Sequence, residues 1–143
     1  MDVFTVLLVD DEEEFLETLV KRLAKRKLSV TGVTSGEEAI RVLVERPVDV
    51  VVLDVKMPGM DGLETLRNIK KSHPLVEVIM LTGHATVESA IDGMKLGAFD
   101  YLMKPSDMDV LMEKLNAAKS KKSQHEQKII EAEAQNIALR RGD

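Results

Sequence analysis

Residues 48–62 read VDVVVLDVKMPGMDG, and this stretch decides how the rest of the chain can fold. It begins with a short, almost unbroken apolar run rich in β-branched valine, which is typical of a strand buried on both faces of a parallel sheet. The run ends on a carboxylate, Asp54, and the proline and glycines that follow it predict a loop. Open α/β sheets bind their ligands at the carboxyl ends of their strands, so the residues that reach Asp54 should indicate the function.

The composition limits the classes of protein to consider. The chain has 143 residues, enough for one domain with a core, and its 20 basic and 25 acidic residues give a net charge of -5. An acidic balance argues against direct nucleic-acid binding, and the absence of cysteine excludes disulfides and thiolate metal sites. Neither a membrane-spanning apolar run nor a secretory signal is visible. We therefore expect a cytoplasmic protein with no membrane partner.

Strand and helix patterns alternate along the rest of the chain. Apolar runs predict further strands at residues 4–9, 28–33, 76–81 and 98–103, the second nearer a sheet edge. Each strand precedes an amphipathic helix pattern, and the predicted helix-capping residues are Asp11, Ser35, Asp61, Thr86, and Ser106 with Asp109. Five such units in strict alternation predict an α/β fold with a five-stranded parallel sheet and helices on both faces.

Polar residues follow four of these strands at the point where each one ends. They are Asp10 and Asp11 after the first strand, Asp54 after the third, Thr82 after the fourth and Lys104 after the fifth. Because the carboxyl ends of parallel strands meet at one edge, these side chains should share one shallow cleft.

Three carboxylates in one cleft repel one another and favour a bound cation. Oxygen ligands without cysteine or a histidine cluster suit Mg²⁺. A carboxylate nucleophile beside a metal, a hydroxyl and a lysine describes phosphoryl transfer to an aspartate. Taken singly, each residue has another explanation: Asp11 as a helix cap, Asp54 as a turn former, Thr82 as a helix start and Lys104 as a surface charge.

The motifs at these strand ends resemble those of receiver domains in two-component response regulators, from about residue 4 to about residue 118. They are LVDD at residues 8–11, LDVKMPGMDG at 53–62, LTG at 81–83 and YLMKP at 101–105. The resemblance implies a flavodoxin-like, doubly wound sheet with strand order 2-1-3-4-5. It also implies a signalling module that catalyses only its own phosphorylation and dephosphorylation.

The resemblance also assigns roles to individual residues. Asp54 would accept a phosphoryl group from a histidine kinase, and Lys104 would contact the phosphate. The Lys104–Pro105 peptide bond would be cis. The ligands of Mg²⁺ would be Asp10, Asp11, Asp54 and the backbone carbonyl of Lys56. Thr82 and Tyr101 would form a switch pair that changes the surface offered to a downstream protein.

Residues 81–90 are similar to receivers of the sigma-54-activating class, which continue into further domains. We expect a stand-alone receiver, with the N-terminal receiver fragment of a larger sigma-54-dependent transcriptional regulator as the alternative. Two rival functions are a metal-dependent phosphatase with an aspartyl nucleophile and a flavodoxin-like binding module. A phosphatase of that class typically has a second acid two residues after the nucleophile, where Lys56 stands.

The composition changes after the predicted receiver domain at residues 1–119. Residues 120–143 form a polar extension in which apolar residues return at loosely helical spacing, and no proline or glycine interrupts residues 108–141. An alternating spacing of four and three is close to a coiled-coil seam. The extension is predicted to continue the fifth helix and to support weak homodimerisation or partner docking, with a partly disordered tail as the alternative.

Overall fold

The computed structural model of the chain describes residues 3–57, 59–83 and 86–140, and within them five strands alternate with five helices. The predicted loop residue Pro58 and the motif residues His84 and Ala85 lie outside the described residues. In chain order the elements are β1 (Thr5–Val9), α1 (Glu13–Ala24), β2 (Ser29–Val33), α2 (Gly36–Glu45), β3 (Val50–Leu53), α3 (Gly62–Ser72), β4 (Glu77–Thr82), α4 (Val87–Lys95), β5 (Asp100–Met103) and α5 (Met108–Arg140).

All strand pairs are parallel, and the sheet order is β2-β1-β3-β4-β5. The order 2-1-3-4-5 and the edge position of β2 confirm the predicted fold. In β3 every residue is buried, whereas β2 is mostly half-buried or exposed. The valine run therefore occupies the centre of the sheet, where both of its faces are covered.

Alternate residues of the central strands supply two separate apolar layers. Leu7 and Val9 of β1 pack with α2 and α3 on one face, and Val6 and Leu8 pack with α1 and α5 on the other. This alternation follows from the two-residue repeat of a strand. The apolar strand residues lie within the two layers, and the polar residues Asp10, Asp54 and Thr82 stand at the carboxyl ends of the strands.

Helix caps account for three of the predicted helix starts. The side chains of Ser35, Asp61 and Thr86 each accept the backbone N–H three residues on, as predicted. At α1 the prediction was wrong, because the capping position is Glu12, without a side-chain cap, rather than Asp11. The reason is that Asp10 accepts the Glu12 N–H at 2.9 Å and sets the turn itself.

The predicted cap of α5 was also wrong. Asp107, rather than Ser106 or Asp109, serves the first turn of the helix. Its carboxylate accepts the Asp109 N–H at 2.7 Å, and its backbone oxygen accepts the Leu111 N–H at 3.0 Å. Ser106, Asp107 and Asp109 all lie within four residues here, so the sequence alone does not select the capping residue.

Helix α5 runs on to Arg140 and confirms the predicted helical extension. Lysines of the helix pair with carboxylates at the amino ends of β3 and β4. The Nζ atoms of Lys119 and Lys122 lie 3.2 and 3.1 Å from Oδ1 of Asp49, and that of Lys121 lies 3.2 Å from Oε2 of Glu77. Beyond these contacts the helix exposes several large apolar side chains, namely Ile129, Ile130, Ile137 and Leu139. No helix among the described residues has the length and apolar character needed to cross a bilayer.

Candidate functional site

Backbone pairing fixes the residues that follow the strands. The Asp10 N–H donates to Val33 O at 3.1 Å, the Asp54 N–H to Val9 O at 3.0 Å and the Lys104 N–H to Thr82 O at 2.9 Å. The hydrogen-bonded ladder therefore continues one residue beyond β1, β3 and β5. Hydrogen-bonded backbone therefore carries the three side chains at the same edge of the sheet, as the sequence predicted.

Lys104 is the centre of the site. Its Nζ lies 2.6 Å from Oδ2 of Asp10, 3.2 Å from Oε1 of Glu12 and 3.6 Å from Oδ2 of Asp54. The Lys104 side chain is only 10% exposed, and those of Asp10 and Asp54 are 6% and 1% exposed. One ammonium group therefore contacts two buried carboxylates and one exposed carboxylate, and its single charge offsets only part of theirs.

The ionisation of the pair follows from this crowding. Burial raises the pKa of the Asp10 carboxyl, and the neighbouring Asp54 charge adds to the increase, although Lys104 and the Glu12 N–H oppose it. Burial acts to lower the pKa of Lys104, but its contacts with Asp10, Asp54 and Glu12 outweigh burial and raise it. Lys104 is therefore protonated at neutral pH. The fold disfavours the ionised form of Asp10, and a bound cation would stabilise that form.

The loop after β3 closes tightly over Asp54. The Lys56 N–H faces Oδ1 of Asp54 at 3.4 Å, and the Gly62 N–H donates to Val55 O at 2.7 Å. A Cβ added at Gly62 would collide with Asp54 O and come within 2.5 Å of Val55 Cα, so only glycine allows α3 to begin this close to the nucleophile candidate. Lys56 itself is exposed.

A carboxylate from α2 holds the far side of this loop. Oε1 of Glu37 accepts the Met60 N–H at 2.9 Å, and this hydrogen bond lowers the pKa of Glu37. Gly59 adopts a φ of 74°, a conformation that glycine takes without strain. The loop that carries Lys56 is therefore tied to α2 as well as to α3.

The two predicted switch residues lie on neighbouring strands. Thr82 ends β4 and is fully buried, and Tyr101 of β5 is half-buried. The Tyr101 hydroxyl lies 2.9 Å from Oγ of Ser89, which also completes the capping box of α4 with Thr86. Tyr101 thus connects the strand that precedes Lys104 to the first turn of α4.

The structure brings together Asp10, Asp54 and Lys104, but it does not place Asp11 with them. Asp11 is exposed, and the third carboxylate in the group is Glu12, which the sequence analysis missed. The available signal was the row of five acids at residues 10–14, without any indication of which one turns inward. The Lys104–Pro105 peptide is cis, as expected.

The donor set fits a hard divalent cation. Carboxylate oxygens of Asp10, Glu12 and Asp54 all lie within 4.8 Å of one another, which is close enough to share one ion. Oxygen-only ligands of this kind suit Mg²⁺, which also accepts phosphate oxygens as ligands.

Comparison with known proteins identifies the family. The profile of the response regulator receiver domain matches residues 6–116. The chain belongs to this family. Receiver domains are signalling modules, so the predicted two-component class is confirmed, and membership of a family that binds Mg²⁺ in an acidic pocket agrees with the carboxylate group described above.

Individual relatives place this receiver within the family. The chain is 39% identical over 114 residues to a putative NtrX-like response regulator of Rickettsia bellii, covering 78% of this chain and 24% of the relative. It is 40% identical over 104 residues to the DNA-binding transcriptional regulator NtrC of Escherichia coli, covering 73% and 22%. These relatives confirm the predicted similarity to receivers of the sigma-54-activating class. The chain spans about a quarter of their length.

A solved structure supports the same assignment. A response regulator receiver domain from Clostridium thermocellum superposes with a TM-score of 0.80 at 37% identity, covering 85% of this chain and 98% of that one. The family profile ends at residue 116, whereas α5 continues to Arg140.

Proposed function

We propose that this receiver accepts a phosphoryl group on Asp54 from a histidine kinase and passes the signal to a downstream protein. The observation that carries the proposal is the position of Asp54, buried at the end of the central strand with Lys104 3.6 Å from its carboxylate. An aspartate in this setting can act as a nucleophile because a fixed cation offsets the charge that gathers during transfer.

In the proposed step, a carboxylate oxygen of Asp54 attacks the phosphorus atom of the kinase phosphohistidine. The new P–O bond forms as the P–N bond breaks, and the electron pair of that bond leaves with the imidazole. Lys104 would turn from Asp10 toward the transferred phosphoryl oxygens, and the Thr82 hydroxyl would donate to one of them. Bound Mg²⁺ would supply charge neutralisation to the phosphoryl oxygens.

For the metal we propose Asp10, Asp11, Asp54 and the Lys56 carbonyl as ligands, with Glu12 as the added candidate. Asp11→Asn and Glu12→Gln separate the two acids. We expect Asp11→Asn to weaken Mg²⁺ binding, as the receiver motif implies, and Glu12→Gln to leave it within about threefold, because the Glu12 side chain is 56% exposed and its charge is screened by water. Calorimetric titration with Mg²⁺ measures both, and the reverse ranking would assign Glu12 as the ligand.

Incubation with acetyl phosphate and Mg²⁺, followed by intact-mass measurement, tests the phosphoryl transfer. We expect one added phosphoryl group in the wild type, none in Asp54→Asn and none when EDTA removes the metal. Asp92→Asn, an exposed change on α4, is the matched control and should be labelled like the wild type. Equal labelling of Asp54→Asn would overturn the assignment.

The output of the receiver is a second proposal. The curated relatives that it matches include DNA-binding transcriptional regulators about three times its length, which supports control of transcription as the downstream effect. The predicted stand-alone state and cytoplasmic location stay predictions. An immunoblot of cells with an antibody to this receiver separates a protein of about 15.9 kDa from a longer regulator.

Self-association through the α5 extension is a further part of the proposal. The helix beyond Glu126 exposes four large apolar side chains, and an isolated helix of this length is marginal in water. We expect a weak dimer whose association is lost on truncation after Ser120, measured by sedimentation over a range of concentrations. An unchanged sedimentation profile would show that the extension has no part in self-association.

A further inference from the structure

Lys104 has a fourth neighbour besides its three carboxylates. Its Nζ lies 4.1 Å from the centroid of the Phe15 ring. Phe15 stands in the first turn of α1, half-buried, and packs against the apolar layer between the sheet and α1 and α5. The chain has only three phenylalanines and one tyrosine, so an aromatic ring over this particular lysine does not follow from aromatic abundance.

The physical effect of the ring differs from that of the carboxylates. The face of an aromatic ring attracts an ammonium group within about 6 Å, and the attraction is strongest when the cation is removed from water. The Lys104 side chain is 10% exposed, which places this contact at the stronger end. A carboxylate that binds another cation holds Lys104 less strongly, whereas the ring attraction is not shared with a metal ion.

The attraction between the ring and Lys104 therefore persists when the buried carboxylates bind a metal ion. Asp10 and Asp54, which both contact Lys104, are among the proposed ligands of a divalent cation. Without the ring, a Lys104 side chain released by these carboxylates could adopt several extended conformations. Its return to a position beside Asp54 would then cost conformational entropy.

We propose that Phe15 is a positioning residue that holds the Lys104 ammonium beside Asp54 for contact with the incoming phosphoryl group. The proposal rests on the proposed function, since it concerns the rate at which Asp54 is phosphorylated. A purely structural role for Phe15 predicts something different: leucine would then fill the same apolar space without a specific effect on Lys104.

The test compares three variants. Phe15→Leu removes the ring face, and Phe15→Tyr keeps it. Phe99→Leu is the matched control, because Phe99 is also half-buried against the same apolar layer but lies near Lys121 instead, with its ring 5.7 Å from that lysine Nζ. Thermal unfolding of each variant establishes that it is folded before rates are compared.

Two measurements are made on each protein. The first is the initial rate of Asp54 phosphorylation against acetyl phosphate concentration at saturating Mg²⁺. We expect Phe15→Leu to lower the maximum rate by roughly threefold to thirtyfold with the half-saturating concentration unchanged, and Phe15→Tyr and Phe99→Leu to stay within about twofold of the wild type. The second is the NMR signal of the Lys104 ε-methylene group, which the ring should shift upfield in the wild type, Phe15→Tyr and Phe99→Leu but not in Phe15→Leu.

Each outcome decides one question. A wild-type rate in Phe15→Leu, an equally slow Phe15→Tyr, or a Lys104 signal that does not respond to Phe15→Leu overturns the role of the ring, while Asp54 phosphorylation itself stands. Absence of Asp54 phosphorylation in the wild type overturns the proposed function, and with it the role of Phe15. Loss of rate and of the upfield shift together in Phe15→Leu alone supports the proposal.

Discussion

Asp10 shows at the scale of a single residue how a site can be assembled at the expense of stability. Its carboxylate is buried beside that of Asp54, so its pKa is raised and its ionised form is unfavourable in the fold. The same charge is what a divalent cation requires. Function and stability therefore make opposite demands on this side chain.

The substitution Asp10→Asn separates these demands. We expect the Mg²⁺ affinity to fall roughly tenfold or more, because a charged ligand is lost. Asparagine keeps an oxygen that can accept the Glu12 N–H, so the free energy of unfolding without metal should stay level or rise. Calorimetry and urea unfolding measure the two effects, with the exposed Asp92→Asn as control. A large loss of stability with unchanged Mg²⁺ affinity would reverse this view of Asp10.

At this scale the sequence predicts which strand ends carry polar chemistry but not every side chain that joins them. Asp54, Asp10 and Lys104 follow apolar runs, and the periodicity of the sheet brings them to one edge. The choice of Glu12 over Asp11 depends on the turn after β1, which Asp10 sets by accepting the Glu12 N–H. A local pattern of five acids does not contain that information.

At the scale of elements, a side-chain contact between β5 and α4 joins one of the predicted switch residues to a helix on the surface. The first turn of α4 is fixed by the capping box of Thr86 and Ser89, and Ser89 also meets the Tyr101 hydroxyl at 2.9 Å. A change in Tyr101 therefore alters a hydrogen bond at the start of α4. The proposed Thr82 and Tyr101 switch would act on α4 through this contact.

Tyr101→Phe removes the hydroxyl and leaves the capping box intact. One net hydrogen bond contributes about 0.5–1.5 kcal/mol, so local opening of α4 should become roughly twofold to tenfold more frequent. Amide hydrogen exchange at Ser89 and Ala90, which donate to Oγ1 and the backbone oxygen of Thr86, measures this opening, and the amides of β1 provide the internal control. Unchanged exchange at these two amides would show that the Tyr101 contact with Ser89 does not hold the helix.

Helix starts illustrate what sequence can say about elements. Ser35, Asp61 and Thr86 were predictable because each stands three residues before the N–H that it accepts, directly ahead of an amphipathic pattern. The starts of α1 and α5 were not, because several acceptors compete there and the turn geometry selects between them.

At the scale of the whole molecule, ion pairs between distant residues set the position of the α5 extension. Asp49 accepts the Thr5 N–H at 2.9 Å and pairs with Lys119 and Lys122. Burial acts to raise the pKa of Asp49, but the Thr5 N–H and the two lysines outweigh burial and lower it below its ordinary value of 3.8. Lys119 lies 70 residues away along the chain, so this anchor was not predictable from local pattern, although the helix itself was.

The lowered pKa makes the contribution of Asp49 depend on pH. The unfolded chain takes up a proton at Asp49 at higher pH than the folded chain does, so its stabilising contribution is complete well above pH 3.8 and is lost as the pH falls through the lower pKa of the folded state. At pH 7, Asp49→Asn should lower the free energy of unfolding by about 1–3 kcal/mol. Urea unfolding at pH 7 and at successively lower pH should show the difference from the wild type shrinking below pH 3.8. A difference that does not change with pH would mean that the charge of Asp49 is not what stabilises the fold.

Reductive trapping identifies the residue that carries the phosphoryl group, which we propose to be Asp54. Borohydride converts an aspartyl phosphate to homoserine, which peptide mass spectrometry locates to a single residue. After incubation with acetyl phosphate and Mg²⁺, we expect homoserine at position 54 and at no other aspartate, and none when EDTA is present. Homoserine at Asp10 or Asp11, or an unmodified Asp54 in a protein that has gained phosphate, would contradict it.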